Sequence, residues 1–272
     1  MKGTITIMFD FNEVVIDRVV RAHKFDFNGK RIWTATQIKD PSMECGGETV
    51  YSTDAVGANI MGFDRSKTGS FTFSNALMNM AVLADQLGSE KQVASGTNKL
   101  VFTCVDFLKV NADGSTVTLS HTPKDITDGV PFKYIDKVDA NFMTLGTYEL
   151  GENAASQFSV TGTTVTLPTG AGFKAGDLVV AKYQYETEDG VLVNNNADEF
   201  SEAGEFVIKA FCYNPCDKAN KKLLNIIFPN AKEDNNISLT MTNELTHPVT
   251  INAMQEYCST EKCLFRIEGS AA

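Results

Sequence analysis

The chain has few basic residues for its size. Of its 272 residues, 24 are Lys or Arg and 34 are Asp or Glu, which gives a formal net charge of −10. Proteins that bind nucleic acid tightly usually present a basic surface, because neutralisation of phosphates supplies much of the affinity. The shortage of basic residues therefore argues against tight nucleic-acid binding, although it allows a surface along which nucleic acid slides.

Long apolar runs are also missing. No stretch of about 18 apolar residues is present, so we expect no membrane insertion by this chain. Near the start of the chain, Thr4, Thr6 and Asp10 interrupt the apolar residues, which predicts a strand at Thr4–Phe9 rather than a signal peptide. We expect a protein that is used or assembled in a cytoplasm, where its cysteines would be free thiols.

Groupings typical of an active site or a metal site are scarce. The three histidines lie far apart in the sequence. Cys212 with Cys216 and Cys258 with Cys263 have spacings that a four-thiolate zinc site allows, but Cys212 lies in a strand pattern where a small side chain packs well. Ordinary thiols are therefore favoured, with zinc as the alternative. Gly170–Gly176 has the wrong spacing for a dinucleotide loop and precedes a strand. We expect no catalytic residue, no metal, no cofactor and no enzymatic activity.

What the sequence does contain is short alternation of polar and apolar residues, which predicts a mainly β protein. Between about Leu108 and Thr187, short strands and turn residues recur at roughly ten-residue intervals, a pattern typical of a small β-sandwich or barrel. Longer strands are predicted on both sides of this region. We therefore expect an inserted β-sandwich-like domain at 108–187, within a discontinuous domain made of 1–107 and 188–272.

One segment, Thr68–Gly88, predicts a single amphipathic helix from about Ser74 to Leu87. Ser74 follows a short strand and is the expected N-cap, and Gly88 is the expected stop. The predicted core face of the helix consists of the apolar residues at helical spacing, which are Leu77, Met80, Ala81, Ala84 and Leu87. One helix beside many strands indicates a β-sandwich or barrel with a flanking helix.

The segment before this helix, Ile38–Lys67, is long, rich in glycine and polar residues, and not periodic. Loops of this length are uncommon in compact domains and are usually functional. Its scattered apolar residues are Ile38, Met43, Val50, Val56, Ile60, Met61 and Phe63. A flexible linker would have few of these, so we expect an extended arm or hairpin that packs on another surface.

Two stretches of the sequence carry a family resemblance. The first is the helix segment with its lead-in from Gly62, and the second is made of Gly204–Ala210, Lys222–Lys232 and Val249–Met254. Together they resemble the tail tube (major tail) proteins of bacteriophages and phage-like particles. The piece from Pro229 to Lys232, between two predicted strands, is the most suggestive part.

The resemblance covers about Met1–Phe107 and Glu188–Ala272, so that 108–187 would be an extra domain on the outside of a tube. It implies a structural subunit whose hexameric rings stack into a conduit for DNA delivery, with Ile38–Lys67 reaching the next ring. The implied partners are further copies of the chain and the tape measure, tail terminator, and baseplate or distal tail proteins. DNA would pass through the lumen without specific binding. The implied location is the virion tail, assembled in the host cytoplasm.

Two other functions stay open at the level of sequence. One is the inner tube of a contractile phage-like particle, although an inserted domain favours a non-contractile tail because a sheath leaves little room for it. The other is a carbohydrate-binding surface β-sandwich protein, for which exposed aromatic residues should cluster on one face. The chain has a single Trp, and its 18 Phe are expected to be mostly core residues.

The acidic balance suggests how a tube would treat DNA. Six copies of a subunit at −10 would carry about −60 in each ring, a large field for a small assembly. If part of that charge lined the lumen, the wall would repel the phosphates of passing DNA. We therefore expect an acidic lumen.

Overall fold

The protein was analysed as a computed structural model. The structure describes residues 11, 13–124, 132–215, 217–244, 246–257, 260 and 262–270. The predicted strand at Thr4–Phe9, as well as Cys216 and Cys258 of the two cysteine pairs, lie outside the described residues. The chain divides into two compact units: unit 1 is Met1–Lys91 with Val193–Ala272, and unit 2 is Gln92–Leu192.

The described elements are almost all strands, which confirms the predicted mainly β fold. In chain order they are β1 Val15–Phe25, β2 Arg31–Ala35, β3 Ile38–Thr53, β4 Asn59–Asn75, α1 Met80–Gln86, β5 Gln92–Val93, β6 Leu100–Lys109, β7 Thr116–Thr118, β8 Tyr134–Val138, β9 Thr144–Leu150, β10 Gln157–Thr161, β11 Thr164–Thr166, a 3₁₀ turn Thr169–Ala171, β12 Leu178–Thr187, β13 Val191–Leu192, β14 Gly204–Asn214, β15 Asp217–Glu233, β16 His247–Ala253 and β17 Arg266–Ser270. No described helix is long and apolar enough to cross a membrane.

Unit 1 is built on one sheet in the order β2-β1-β14-β15-β16-β4-β3, with β17 also paired to β15. All of these pairings are antiparallel. Strand alternation turns Phe206 and Ile208 of β14 inward, where they meet the fully buried Phe228 of β15. Phe71 and Phe73 of β4 join the same core. The two ends of the strand order therefore share one core, in the manner of a sandwich.

The single described helix, α1, is shorter than predicted and begins later. Ser74 is not its N-cap: it lies in β4, where it pairs with Lys39 and Pro248. Asn79 caps the helix instead, since its side-chain oxygen accepts hydrogen bonds from the backbone N–H groups of Ala81 and Val82 at 3.0 and 3.3 Å. The prediction for Ser74 was wrong because the strand pairing continues through that residue and satisfies its backbone.

The later start changes which helix residues face the core. The buried residues of α1 are Val82, Ala84 and Gln86. Ala81 packs against the core and Leu87 is half-buried, as expected for core-facing positions. The other two predicted members are exposed, Leu77 because it precedes the helix and Met80 because it occupies the first turn. Gly88 ends the helix with a φ of +74°, and a Cβ there would lie 2.4 Å from the backbone of Phe200.

A buried ion pair joins α1 to the sheet of unit 1. Lys24 on β1 is fully buried, and its Nζ donates to Asp85 Oδ2 on α1 and to the carbonyl of Glu202, both at 2.7 Å. The indole N–H of Trp33 donates to the same Asp85 oxygen at 2.8 Å. The side chain of Glu233, at the end of β15, is buried nearby. These polar groups fix the position of the helix, because separating them would leave a charge unpaired in the interior.

Unit 2 has its own sheet, in the order β6-β12-β8-β9-β10-β11-β7, and a short pairing of β5 with β13. Its core includes Phe132, Ile135, Phe158 and Val179, all nearly inaccessible to solvent. The unit is longer at both ends than the predicted insertion at 108–187, because β6 pairs along its whole length with β12. Within this unit, short strands separated by turns follow one another, as the sequence pattern at 108–187 predicted.

A candidate assembly surface on a long hairpin

The segment predicted as an arm is a long antiparallel hairpin of β3 and β4. Ile38 pairs with Asn75 at its base, and Thr53 pairs with Asn59 near its tip. Every residue from Glu44 to Thr68 is exposed, whereas Gly69 and alternate residues beyond it in β4 are buried. We call residues 44–68 the distal hairpin. At a rise of about 3.3 Å per residue, its ten-residue strand segments extend roughly 30 Å from the core.

A tight turn closes the tip of the hairpin. Asp54 Oδ1 accepts hydrogen bonds from the backbone N–H groups of Val56 and Ala58 at 3.0 and 2.8 Å. Gly57 has a φ of +87°, a conformation that glycine adopts without steric cost. Backbone bonds between Asp54 and both Ala58 and Gly57 complete the turn. This geometry leaves the Val56 side chain 89% exposed at the outermost point.

Apolar side chains lie on both faces of the distal hairpin. Val50 pairs directly with Phe63, and Ser52 pairs with Met61, so alternation places Val50, Phe63 and Met61 on one face. On the other face Tyr51 pairs with Gly62, and a Cβ added at Gly62 would lie 3.1 Å from the Tyr51 ring. Antiparallel strands usually have one apolar face on the core and one polar face in solvent. The distal hairpin differs, because both of its faces carry apolar side chains.

Irregular pairing bends the hairpin where it leaves the core. The register shifts between Gly46 and Glu48, and opposite this shift Ser66 has a φ of +54°. A second shift lies between Lys39 and Ser42, next to Asp40 at φ +49°. Such bulges insert an unpaired residue and increase the local twist. They lie at the base of the distal hairpin, between its paired strands and the core.

The seven residues predicted for this arm fall into two groups. Ile38 and Met43 are half-buried and pack against the core of unit 1. The other five are exposed in the distal hairpin, namely Val50, Val56, Ile60, Met61 and Phe63. Tyr51, 54% exposed, belongs with them and was missed, although its position in the same polar, glycine-rich stretch was a usable signal. The missing periodicity that suggested a loop reflects a strand pair without a buried face.

Among the described residues of unit 1, both ends of the strand order have a strand that is paired on one side only. The edge strands are β2 and β3, and β3 is 16 residues long. Long exposed edges are sites at which another chain can add a strand, and natural proteins usually cover them. The β3 edge is therefore a second feature, besides the apolar hairpin, that fits association with other subunits.

The described cysteines do not form a metal site with one another. Cys212 is buried against Ala210 and Leu224, and burial raises the pKa of its thiol. Cys263 is half-buried and donates to the carbonyl of Phe265 at 3.1 Å. Within the described part of the chain, no three His, Cys, Asp or Glu residues are grouped so that they could hold a metal ion.

A cluster of polar residues in unit 2 is held together by hydrogen bonds between its own members. The Tyr183 hydroxyl and the backbone N–H of Ser120 donate to Asp106 Oδ2 at 2.7 and 2.8 Å, and the Ser120 hydroxyl donates to Oδ1 at 2.8 Å. Burial alone would raise the pKa of Asp106, but these hydrogen bonds lower it below its ordinary value. Burial and then Asp106 raise the pKa of Tyr183. The cluster ties β6, β12 and the segment after β7 together.

Unit 2 also exposes an apolar patch on the outer side of its sheet. Phe107 on β6 and Phe142 in the β8–β9 turn are 64% and 61% exposed, with ring centroids 5.3 Å apart and planes at 83°. Met143 and Leu145 beside them are also exposed. The two rings meet edge to face and so offer no flat platform for a sugar ring. This patch fits contact with another apolar surface better than carbohydrate binding.

The chain was compared with known proteins. The model of the YomU/Tube protein family matches residues 14–264, and no curated protein matches. Because the match spans most of the chain, the protein belongs to the YomU/Tube protein family. This confirms the sequence-based assignment to the phage tail tube proteins.

Proposed function

We propose that this member of the YomU/Tube protein family is the structural subunit of a phage tail tube. In this proposal unit 1 is the tube domain, and copies of it form hexameric rings that stack into a conduit for DNA delivery. The observation that carries the proposal is the distal hairpin, residues 44–68, which is exposed throughout and apolar on both faces.

The energetics of the hairpin favour a buried state in an assembly. Full burial of a large apolar side chain stabilises by about 1.5–3 kcal/mol. Apart from Val56, the exposed apolar side chains of the hairpin are already partly covered, so each gains on the order of 1 kcal/mol. The distal side chains that gain most are Tyr51, Val56, Ile60, Met61 and Phe63. Together they supply roughly 5 kcal/mol per hairpin. Repeated at each hairpin of a ring, this burial favours polymerisation against the cost of association, and it accounts for apolar residues at positions that a monomer would fill with polar ones.

Strand edges support the ring in the same proposal. A closed ring joins the β2 edge or the β3 edge of one subunit to its neighbour, which removes the unpaired backbone of both. The family assignment supports further partners of a tail, namely the tape measure, terminator, and baseplate or distal tail proteins. DNA passes through the lumen without specific binding, and the net charge of −10 per subunit favours a wall that repels phosphate.

The proposal is tested by electron microscopy of the concentrated protein and of two variants. The wild-type protein should form rings or tubes of constant diameter. The arm variant, Met61→Ser with Phe63→Ser, should lose stacking because it removes apolar area from one hairpin face. Met241→Ser is the matched control, because Met241 is 72% exposed but lies outside the hairpin. A wild-type protein that never associates, even with an assembly initiator present, would contradict the proposal, as would an arm variant that polymerises normally.

A further inference from the structure

The ends of β1 and β14 form an apolar surface that the described residues of unit 1 leave open. Val15 pairs with Tyr213, so both side chains lie on the outer face of the sheet. Together with Asn214 and Pro215 they line an open cavity of about 270 Å³. Val15 is 55% exposed. We call this surface the receptor surface; its size suits the insertion of a few apolar side chains.

Basic side chains begin beside the receptor surface and continue along the same face of β1 and β14. On the outer face, Arg21 pairs with Lys209, and Arg18 follows on β1. Lys221 lies with its Nζ 4.2 Å from the Phe211 ring and 3.1 Å from Asp17 Oδ2. Four basic groups, Arg18, Arg21, Lys209 and Lys221, thus lie near Asp17. The register also places Glu205 and Glu268 further along this face, where Arg266 offsets Glu268 at 2.9 Å. The rim carries a net positive charge although the chain as a whole is acidic.

His23, further along the same strand face, also experiences this positive charge. Burial lowers the pKa of its imidazole, and the neighbouring Lys209, Arg21 and Arg31 lower it further. Arg21 and Lys209 pair directly on neighbouring strands, and their effect on the imidazole is that of positive charge held close to it.

The distal hairpin complements the receptor surface in charge and in polarity. Residues 44–68 contain four acids, Glu44, Glu48, Asp54 and Asp64, against Arg65 and Lys67, for a net charge of −2. Val56 projects from its tip, and Met61 and Phe63 follow on one strand. An acidic ribbon with an apolar tip thus matches an apolar cavity with a basic rim, in charge as well as in polarity.

We infer that the receptor surface binds the distal hairpin of a second copy of this chain. The inference rests on the proposed function and names the surface that receives the arm. The hairpin is exposed on both faces in its own subunit, so it needs a partner surface elsewhere. The alternative occupant of a basic face is nucleic acid. The cavity wall is almost entirely apolar and offers phosphate little to bind, and Asp17, two residues from Val15, would repel it, so the observations favour the hairpin.

The test uses two full-length variants that each lack one half of the contact. The arm variant, Met61→Ser with Phe63→Ser, keeps the receptor surface. The receptor variant, Val15→Ser with Tyr213→Ser, keeps the arm. Each variant alone should stop at a single ring or a single subunit. An equal mixture should restore one contact and yield a particle of twice that mass in sedimentation velocity, because only one intact arm–receptor pair is available.

A second receptor variant keeps the test valid if Val15→Ser with Tyr213→Ser fails to fold. Arg21→Glu with Lys209→Glu reverses two charges on this face and replaces no apolar side chain, and it should weaken association at least tenfold. Wild-type association should weaken as NaCl rises from about 50 to about 500 mM, because salt screens the rim charges. Unfolding of unit 1, followed by the fluorescence of Trp33, shows that each variant is folded.

The outcomes separate this inference from the proposed function. If the receptor variants stack as wild type while the arm variant does not, the receptor surface is overturned and the tube function stands. If neither wild type nor any variant associates, the proposed function itself fails. If a duplex oligonucleotide binds the wild-type protein, loses binding to the charge-reversed variant, and that variant still stacks, the surface is a nucleic-acid site and the inference is overturned.

Discussion

Replacing Glu233 by glutamine should remove a pH dependence from the stability of unit 1. Glu233 is 2% exposed, and neither of its carboxyl oxygens has a hydrogen-bond partner among the described residues, although Trp33 and Asp85 lie near enough to affect it. Burial, and then the charge of Asp85, raise its pKa from 4.5 to about 8, against the opposing effect of Lys24. The side chain is therefore a neutral acid at neutral pH.

The raised pKa fixes the sign and size of the effect. Between pH 4.5 and about 8 the folded state holds the Glu233 proton while the unfolded state has released it. The contribution to stability is therefore complete below the ordinary pKa of the carboxyl group and is lost as the pH rises toward about 8. One bound proton corresponds to about 1.4 kcal/mol per pH unit, so the contribution falls by about 2.5 kcal/mol from pH 5 to pH 7.

The assay is denaturant unfolding of the unassembled protein, followed by the fluorescence of Trp33. This is the only Trp in the chain, and it is buried in unit 1, so the signal reports that unit alone. The stability of wild type minus that of Glu233→Gln should fall with pH as described, because groups common to both proteins cancel. Glu244→Gln, at an exposed position, should leave the profile of the wild type unchanged. A wild-type-minus-Glu233→Gln difference that stays constant from pH 5 to pH 7 would refute the reasoning.

Two further substitutions test the polar groups that hold each unit together. Asp85→Asn removes the anion 2.7 Å from the buried Nζ of Lys24 and should destabilise unit 1 by about 3 kcal/mol in the same assay. Combining it with Lys24→Met should recover part of that loss, and no recovery would mean that the pair is not the cause. Tyr183→Phe removes the hydroxyl that donates to Asp106 at 2.7 Å and should cost about 1–3 kcal/mol. Thermal unfolding of unit 2 by circular dichroism checks it, and an unchanged midpoint would show that the network is dispensable.

The sequence predicted the presence of the strands and of the single helix better than it predicted the residues at which they begin and end. Alternation showed where strands lie, but it did not show that β4 extends through Ser74, because a capping residue and a strand residue look alike locally. The position of the helix start depends on the pairing of Ser74 with Pro248, a residue distant in sequence. Similarly, β6 belongs to the inserted unit because it pairs with β12, which no local pattern indicated.

The arm illustrates the same limit. Its apolar residues were visible in the sequence, and their mixture with glycine and polar residues predicted an element that packs on a partner surface. The sequence left open whether it was an extended arm or a hairpin, since strand alternation is a signal only when one face is buried and the other is solvated. The receptor surface could not be predicted from the sequence either, because Val15 and Tyr213 are brought together only by the pairing of β1 with β14.

By itself the sequence determined the composition-dependent properties of this protein: a mainly β chain, one helix, an acidic balance and a segment with unpartnered apolar residues. These follow from local periodicity and from counts of residue types, which need no knowledge of contacts. Only the tertiary structure decided where the charges and apolar groups lie. Pairing of distant strands concentrates basic residues on one face of an acidic protein and projects the distal hairpin away from the core, and both arrangements depend on register rather than on composition.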